Sequence, residues 1–244
     1  MSTESEAAAP SPPPSWPVLH PHERRVLGVL VEKSKTTPDV YPMSINALVA
    51  GCNQKTNRDP ILDLAELDVE EALAGARAKG LAVMVTGGRV VRWRQALYEA
   101  WHVGKAELAV LAELLLRGPQ TEGELRAHAG RMEPIADLDA LRALLRPLAE
   151  RRLVVYLTPE GRRGTMLTHG FHAPEELEQL RRKYGAAAAE PVAAAPPPPA
   201  PALEAKLAEA QAELIALRGQ VAELQTTVAA LTEQVRYIKE ALGL

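Results

Sequence analysis

The same succession of elements is written into this chain twice, and that repetition constrains the fold more than any single motif. From Pro21, with Glu23 in the first turn, Val26, Leu27, Leu30 and Val31 recur at helical spacing up to Lys35. Pro38 and Pro42 then predict an extended stretch, because proline fixes its own φ and biases the residue before it away from the helical region. Ser44 offers a cap to a second helix whose apolar stripe is Ile45, Leu48 and Val49. A third helix is expected over residues 69–79, with Asp68 as N-cap, Gly80 at its C-terminal cap and Val69, Leu73 and Ala76 as its apolar line. Two β-type runs, 81–85 and 90–93, follow across Gly87-Gly88, a favoured pair for a tight hairpin.

The second unit repeats this layout more regularly. Residues 105–117 read as a helix through Leu108, Leu111, Leu114 and Leu115, ending at Gly118-Pro119. Thr121 and Glu124 form a capping-box pattern. Asp137 or Asp139 starts a third helix through Leu141, Leu144, Leu145 and Leu148 to Arg152, with Pro147 expected to kink it. Runs 153–157 and 165–168 make the second hairpin. Three helices and a hairpin are the layout of a winged helix. The predicted fold class is therefore mainly α with small β wings: winged-helix domains over residues 21–100 and 101–172, and a C-terminal coiled-coil helix. The first unit carries an extra segment, 55–67, in which Ile61, Leu62, Leu64 and Leu67 are candidates to pack back on the core.

Outside the units, residues 1–20 are Ala/Ser/Pro-rich and read as a disordered tail, Trp16 being the largest apolar group in them. Residues 173–202 read as a short charged helix (174–184) and an Ala/Pro-rich linker, which polyproline geometry would extend at about 3.1 Å per residue. Residues 203–244 form a heptad repeat. Leu207, Leu214, Val221, Val228, Val235 and Leu242 fall at a, and Leu203, Ala210, Leu217, Leu224, Leu231 and Ile238 at d. Dimerisation through Leu207, Leu214, Leu217, Val221, Leu224, Val228, Leu231, Val235 and Ile238 is expected, and β-branched a residues with Leu at d favour a parallel pair.

Composition removes several classes. Only 4% of residues are aromatic, so the cores are expected to be built from Leu, Val and Ala. A formal net charge of -3 excludes a broadly basic nucleic-acid coat. One cysteine, the lack of an 18-residue apolar run and an acidic, Pro-rich start fit a cytoplasmic protein with no membrane span. No metal-ligand spacing or catalytic constellation is present, so no cofactor or metal is predicted and the chain reads as a non-enzyme. His102, His128, His169 and His172 are scattered, and His169-Gly170-Phe171-His172 reads as structural.

Residues 52–60, CNQKTNRDP, set seven polar side chains between a cysteine and a proline. Thr36-Thr37-Pro38-Asp39, Tyr41-Pro42 and this run resemble the signature of the YceH-like family of bacterial proteins, as do Arg25-Val26-Leu27-Gly28 and Glu32-Lys33-Ser34. The likeness runs to about His172. It implies a tandem winged-helix fold and no activity.

Two surfaces are candidates for function. In the motif, Asn53, Gln54, Lys55, Asn57 and Arg58 are groups that bind phosphates, base edges or a protein partner, or else fix the backbone around them. Cys52 continues an inward-facing helix and reads as packing. In the second unit, Arg142 and Arg146 share a helix face, Arg151 and Arg152 follow, and Arg162 and Arg163 sit at the wing tip. This is the candidate surface for double-stranded DNA. The first unit's third helix opens with Asp68, Glu70 and Glu71, which would repel phosphates, although its wing carries Arg89, Arg92 and Arg94. Residues 101–172 have a net charge of only +1. The expected function is a DNA-binding, regulator-like dimer, with a protein–protein adaptor docking at residues 52–60 as the alternative.

Overall fold

Proline at the first position and Glu23 reaching back to the His20 N–H (2.7 Å) open α1 (Pro21–Thr36) in the computed structural model, which describes residues 16–162 and 164–189. After a single 3-10 turn over Pro38–Val40 come α2 (Ile45–Cys52), α3 (Glu66–Ala78), β1 (Ala82–Val85), β2 (Arg92–Gln95) and α4 (Leu97–Trp101). The second repeat supplies α5 (Lys105–Arg117), β3 (Gln120–Thr121), α6 (Glu122–Ala129), α7 (Leu138–Glu150), β4 (Val154–Tyr156) and β5 (Met166–His169), and α8 (Pro174–Ala189) follows. The fold is mainly helical with two small antiparallel sheets, β1-β2 and β3-β5-β4. The heptad segment 203–244 lies outside the described residues, as do residues 1–15 and 190–202.

Helices α1 and α5 are buried almost all round, in contrast to an amphipathic surface helix with one apolar stripe. They pack on each other: a Cβ built on Gly28 of α1 would lie 2.7 Å from Cγ of Leu116 on α5. Glycine is what lets these two backbones come so close. One continuous apolar cluster results, running from Leu19 to Phe171 across both repeats.

Each repeat also ties the segment before its second helix to the second strand of its hairpin. Met43 exchanges both backbone hydrogen bonds with Trp93 (3.0 and 2.7 Å), and β3 pairs with β5 in the register Gln120↔Leu167. These pairings join residues about fifty positions apart and left no local trace in the sequence.

Several local expectations need correction. Strand β2 begins at Arg92 rather than Val90; the register Val85↔Arg92 leaves Val90 and Val91 exposed in the wing. Asp68 is not the cap of α3. The helix starts at Glu66, and Asp68 sits one turn in, accepting from the Ala65 N–H at 2.8 Å. Pro38 starts a 3-10 turn instead of an extended stretch, its fixed φ being compatible with a first helical position. Residues 16–20 are not a loose tail: the Trp16 indole donates to the Arg151 carbonyl at 2.6 Å, and Leu19 is fully buried. Helix α8 runs to Ala189, beyond the expected 184, because Gly185 is followed by alanines, the strongest helix formers. In the inserted segment, Leu64 and Leu62 pack on the core while Ile61 and Leu67 stay exposed.

Candidate functional site

The signature segment is a brace. Arg58, whose side chain has no exposed surface, donates through Nη2 to Glu32 Oε2 (2.6 Å) and Gln54 Oε1 (3.0 Å) and through Nε to the Gly51 carbonyl (3.1 Å). Arg25 of α1 reaches the Cys52 carbonyl at 2.9 Å and the Pro60 carbonyl at 2.5 Å, and the Asp59 N–H donates to the Leu116 carbonyl of α5 at 3.1 Å. Asn57 has φ 60, the left-handed region that asparagine tolerates better than most residues, and its Oδ1 accepts from Arg117 (2.5 Å) and Arg131 (2.9 Å). Asn53 clamps the inserted segment by exchanging hydrogen bonds with both backbone groups of Leu64 (2.9 and 2.8 Å). Thus Asn53, Gln54, Asn57 and Arg58 are held on internal partners, whereas Lys55 is exposed. Cys52 is fully buried and burial pushes its thiol up to about 12, which leaves it protonated and unreactive.

The second-repeat arginines are scattered in role. Arg142 donates to Glu122 Oε2 through Nε (3.0 Å) and Nη2 (2.9 Å) and lies near Asp139 (3.4 Å). Arg151 folds back on the backbone, donating to the carbonyls of His102 (3.1 Å) and Trp101. Arg146, Arg152 and Arg162 are exposed, and Arg163 lies outside the described residues. Tyr156 of β4 reports the local field: burial, helped by nearby Glu160 and Glu122, raises its hydroxyl to about 12. The carboxylates of Glu122 and Asp139 both face Arg142.

An apolar groove that the sequence did not announce runs along α3. Ile45 of α2, Glu70, Ala74, Arg77 and Ala78 of α3, and Met84, Val91 and Trp93 of the wing enclose about 650 Å³. Ala74 and Ala78, one turn apart on α3, line it, and neither carries a side chain long enough to fill it. Glu70 and Arg77 mark two points on the helix edge, seven residues or about 10.5 Å apart. Alanines at exposed helix positions beside an alternating strand were the only available signal. The wall they complete comes from residues distant in sequence.

Beyond Phe171, the two histidines that close the second hairpin stack with ring centroids 3.9 Å apart. His172 contacts Thr168 Oγ1 (2.9 Å), Glu176 (2.9 Å) and Arg24 (3.2 Å). Burial holds both imidazoles below their usual range, so they are neutral near pH 7. Among the described residues no group of three or more His, Cys, Asp and Glu is placed to hold a metal. Nor is any described helix long and apolar enough to cross a membrane.

A mainly helical protein of two like repeats, locked together by one polar signature, is the class that the geometry defines. The model of a family described as "Protein of unknown function, DUF480" matches residues 19–163, and the chain belongs to that family. It is 43% identical over 205 residues to a UPF0502 protein of Rhodopirellula baltica, covering 82% of this chain and 84% of the relative. A UPF0502 protein of Geobacter sulfurreducens is 46% identical over 169 residues (68% and 77% covered), and one of Citrifermentans bemidjiense 47% over 171 (68% and 80%).

Proposed function

We propose that each repeat is a winged helix and that the protein is a binding protein without catalysis, docking a protein partner on its first repeat. Helix–helix–helix–hairpin order in both repeats, with the strand bridge in front of the second helix, supports the fold assignment. The observation that carries the function is the groove along α3. The face that a DNA-binding helix-turn-helix turns to the duplex is here apolar and edged by Glu70 and Arg77 rather than by arginines. The occupant is the apolar face of an amphipathic helix of the partner, laid along α3 with a basic and an acidic residue two turns apart to match that pair. The adaptor site thus moves from residues 52–60, whose side chains are mostly internal, to the groove.

Selection of displayed amphipathic helices against the full chain tests this. Enriched sequences are expected to carry apolar residues at i, i+3 or i+4 and i+7 with that charge pair, and Ala74→Glu is expected to weaken them about tenfold or more by placing a charge in the groove. Enrichment indifferent to Ala74→Glu would reject the groove. A second reading, DNA contact by the second repeat, is supported by exposed Arg146 and Arg162. In its favour would be duplex binding that falls steeply with salt and is lost in Arg146→Ala/Arg162→Ala.

The heptads of residues 203–244 support a homodimer, which would present two grooves at once and raise avidity. Deleting 203–244 is expected to halve the mass seen by light scattering; an unchanged mass would remove the coiled coil from the account.

A further inference from the structure

A second cleft, of about 250 Å³, borders the end of the signature segment and mixes charged with apolar side chains. Its charged lining comes from α1 (Arg24, Arg25), the end of the signature (Asp59), the end of α5 (Arg117) and α8 (Glu176, Lys183). Four cations line it against two carboxylates. Much of this charge is already matched: Arg24 is paired bidentately with Glu176, and Arg117 with Glu113 and Asn57.

Of the nitrogens that border it, those on His169, Arg25 and Lys183 bear most on what the cleft could hold. His169 is 99% buried, and its Nδ1 accepts the Phe171 N–H at 3.2 Å, which places the ring proton on Nε2 of the neutral imidazole. No described hydrogen bond uses that Nε2–H. Arg25, 2% exposed, uses both terminal nitrogens on carbonyls, and its Nε–H is buried without a partner. Lys183 is exposed at the rim, its ammonium 5.1 Å from the Tyr184 ring centroid. A buried donor left unpaired is costly, so the Arg25 Nε–H calls for an acceptor, and the His169 Nε2–H beside the same cleft can share it.

We propose that this cleft is a binding site for a small anion carrying a phosphate or carboxylate group, which accepts from His169 Nε2–H and Arg25 Nε–H and is closed over by Lys183. The size fits a small metabolite or inorganic ion, being below the roughly 300–1,000 Å³ of drug-sized pockets. Because Arg25 also holds the Cys52 and Pro60 carbonyls, an occupied cleft would stiffen the brace between the repeats, as an effector site does. The site is independent of the groove.

The test is the thermal midpoint of the full chain against inorganic phosphate, and separately acetate, with ionic strength held constant by sodium chloride. A saturable rise in midpoint with either anion is expected. Lys183→Ala should weaken apparent affinity about two- to fivefold, and Lys183→Glu should abolish the rise, while Ala74→Glu in the groove leaves it intact. Phosphate alone acting would assign a phosphate site, acetate as well a general carboxylate or phosphate site. A rise that never saturates, that chloride reproduces, or that persists unchanged in Lys183→Glu would overturn the proposal. His169→Phe, which keeps a ring in place, is expected to fold and to lose the response; a folded His169→Phe that still responds would also overturn it.

Discussion

Arg58→Ala is expected to destabilise the chain by about 3–5 kcal/mol, the range for breaking a buried ion pair from one side. What remains behind sets the size of the loss. Glu32, with a side chain only 14% exposed, loses the guanidinium that pairs with both of its oxygens, and the Gly51 and Asn57 carbonyls lose donors in the same event. Marginal stability of about 5–15 kcal/mol makes such a loss a large share of the whole. Arg58→Lys should recover part of it, since an ammonium supplies charge but not the planar fork that spans Glu32 and Gln54. Lys55→Ala, three residues earlier and exposed, should stay within about 0.5 kcal/mol. Urea unfolding of the three variants measures the contrast. Equal losses for Arg58→Ala and Lys55→Ala would mean that the signature is not a brace.

Gly170→Ala is expected to rank beside it. A Cβ at this position would stand 1.8 Å from the Arg152 carbonyl oxygen and 2.9 Å from its carbon, so backbone rather than a flexible side chain must move. Movement is opposed from both sides: the Gly170 N–H donates to the Leu153 carbonyl at 2.8 Å, and the next residue, Phe171, is fully buried and stacks on Trp101 with centroids 4.5 Å apart. The loss should reach or exceed the upper end of the roughly 1–3 kcal/mol typical of overpacking. Gly123→Ala is the control. It sits in α6 with nothing within 4 Å of the added carbon, and alanine there should stabilise by about 0.5–1 kcal/mol. Thermal melts of the two variants should shift in opposite directions. A shift of the same sign in both would contradict the packing around Phe171.

What could be read ahead of the structure was what local chemistry decides. Thr121 and Glu124 form their capping box, Asp137 caps α7 by accepting the Ala140 N–H at 2.8 Å, and Gly80 takes φ 73 past the end of α3. What escaped was set by distant partners. Met43 found Trp93, and α4 formed where no pattern marked it, because burial of Leu97 and Trp101 against the shared core overrode weak local preference. The motif was legible as a signature but not in its direction. Asn and Arg bond a carbonyl as readily as a phosphate, and only the approach of α1 and α5 decides which is within reach. Asp68 shows the same limit at small scale, since an acid near a helix start serves equally as cap or as the residue one turn in. The groove was the least visible feature, its lining drawn from α2, α3 and the wing.

The claim that matters most is that α3 and the wing receive a helix, and affinity under charge exchange tests it most directly. A selected helix would be titrated against the wild type, against Glu70→Arg/Arg77→Glu, and then with its own basic and acidic residues exchanged. The account predicts that the protein swap weakens binding about fivefold or more and that the matching swap in the helix restores it. Binding that ignores both exchanges would contradict it.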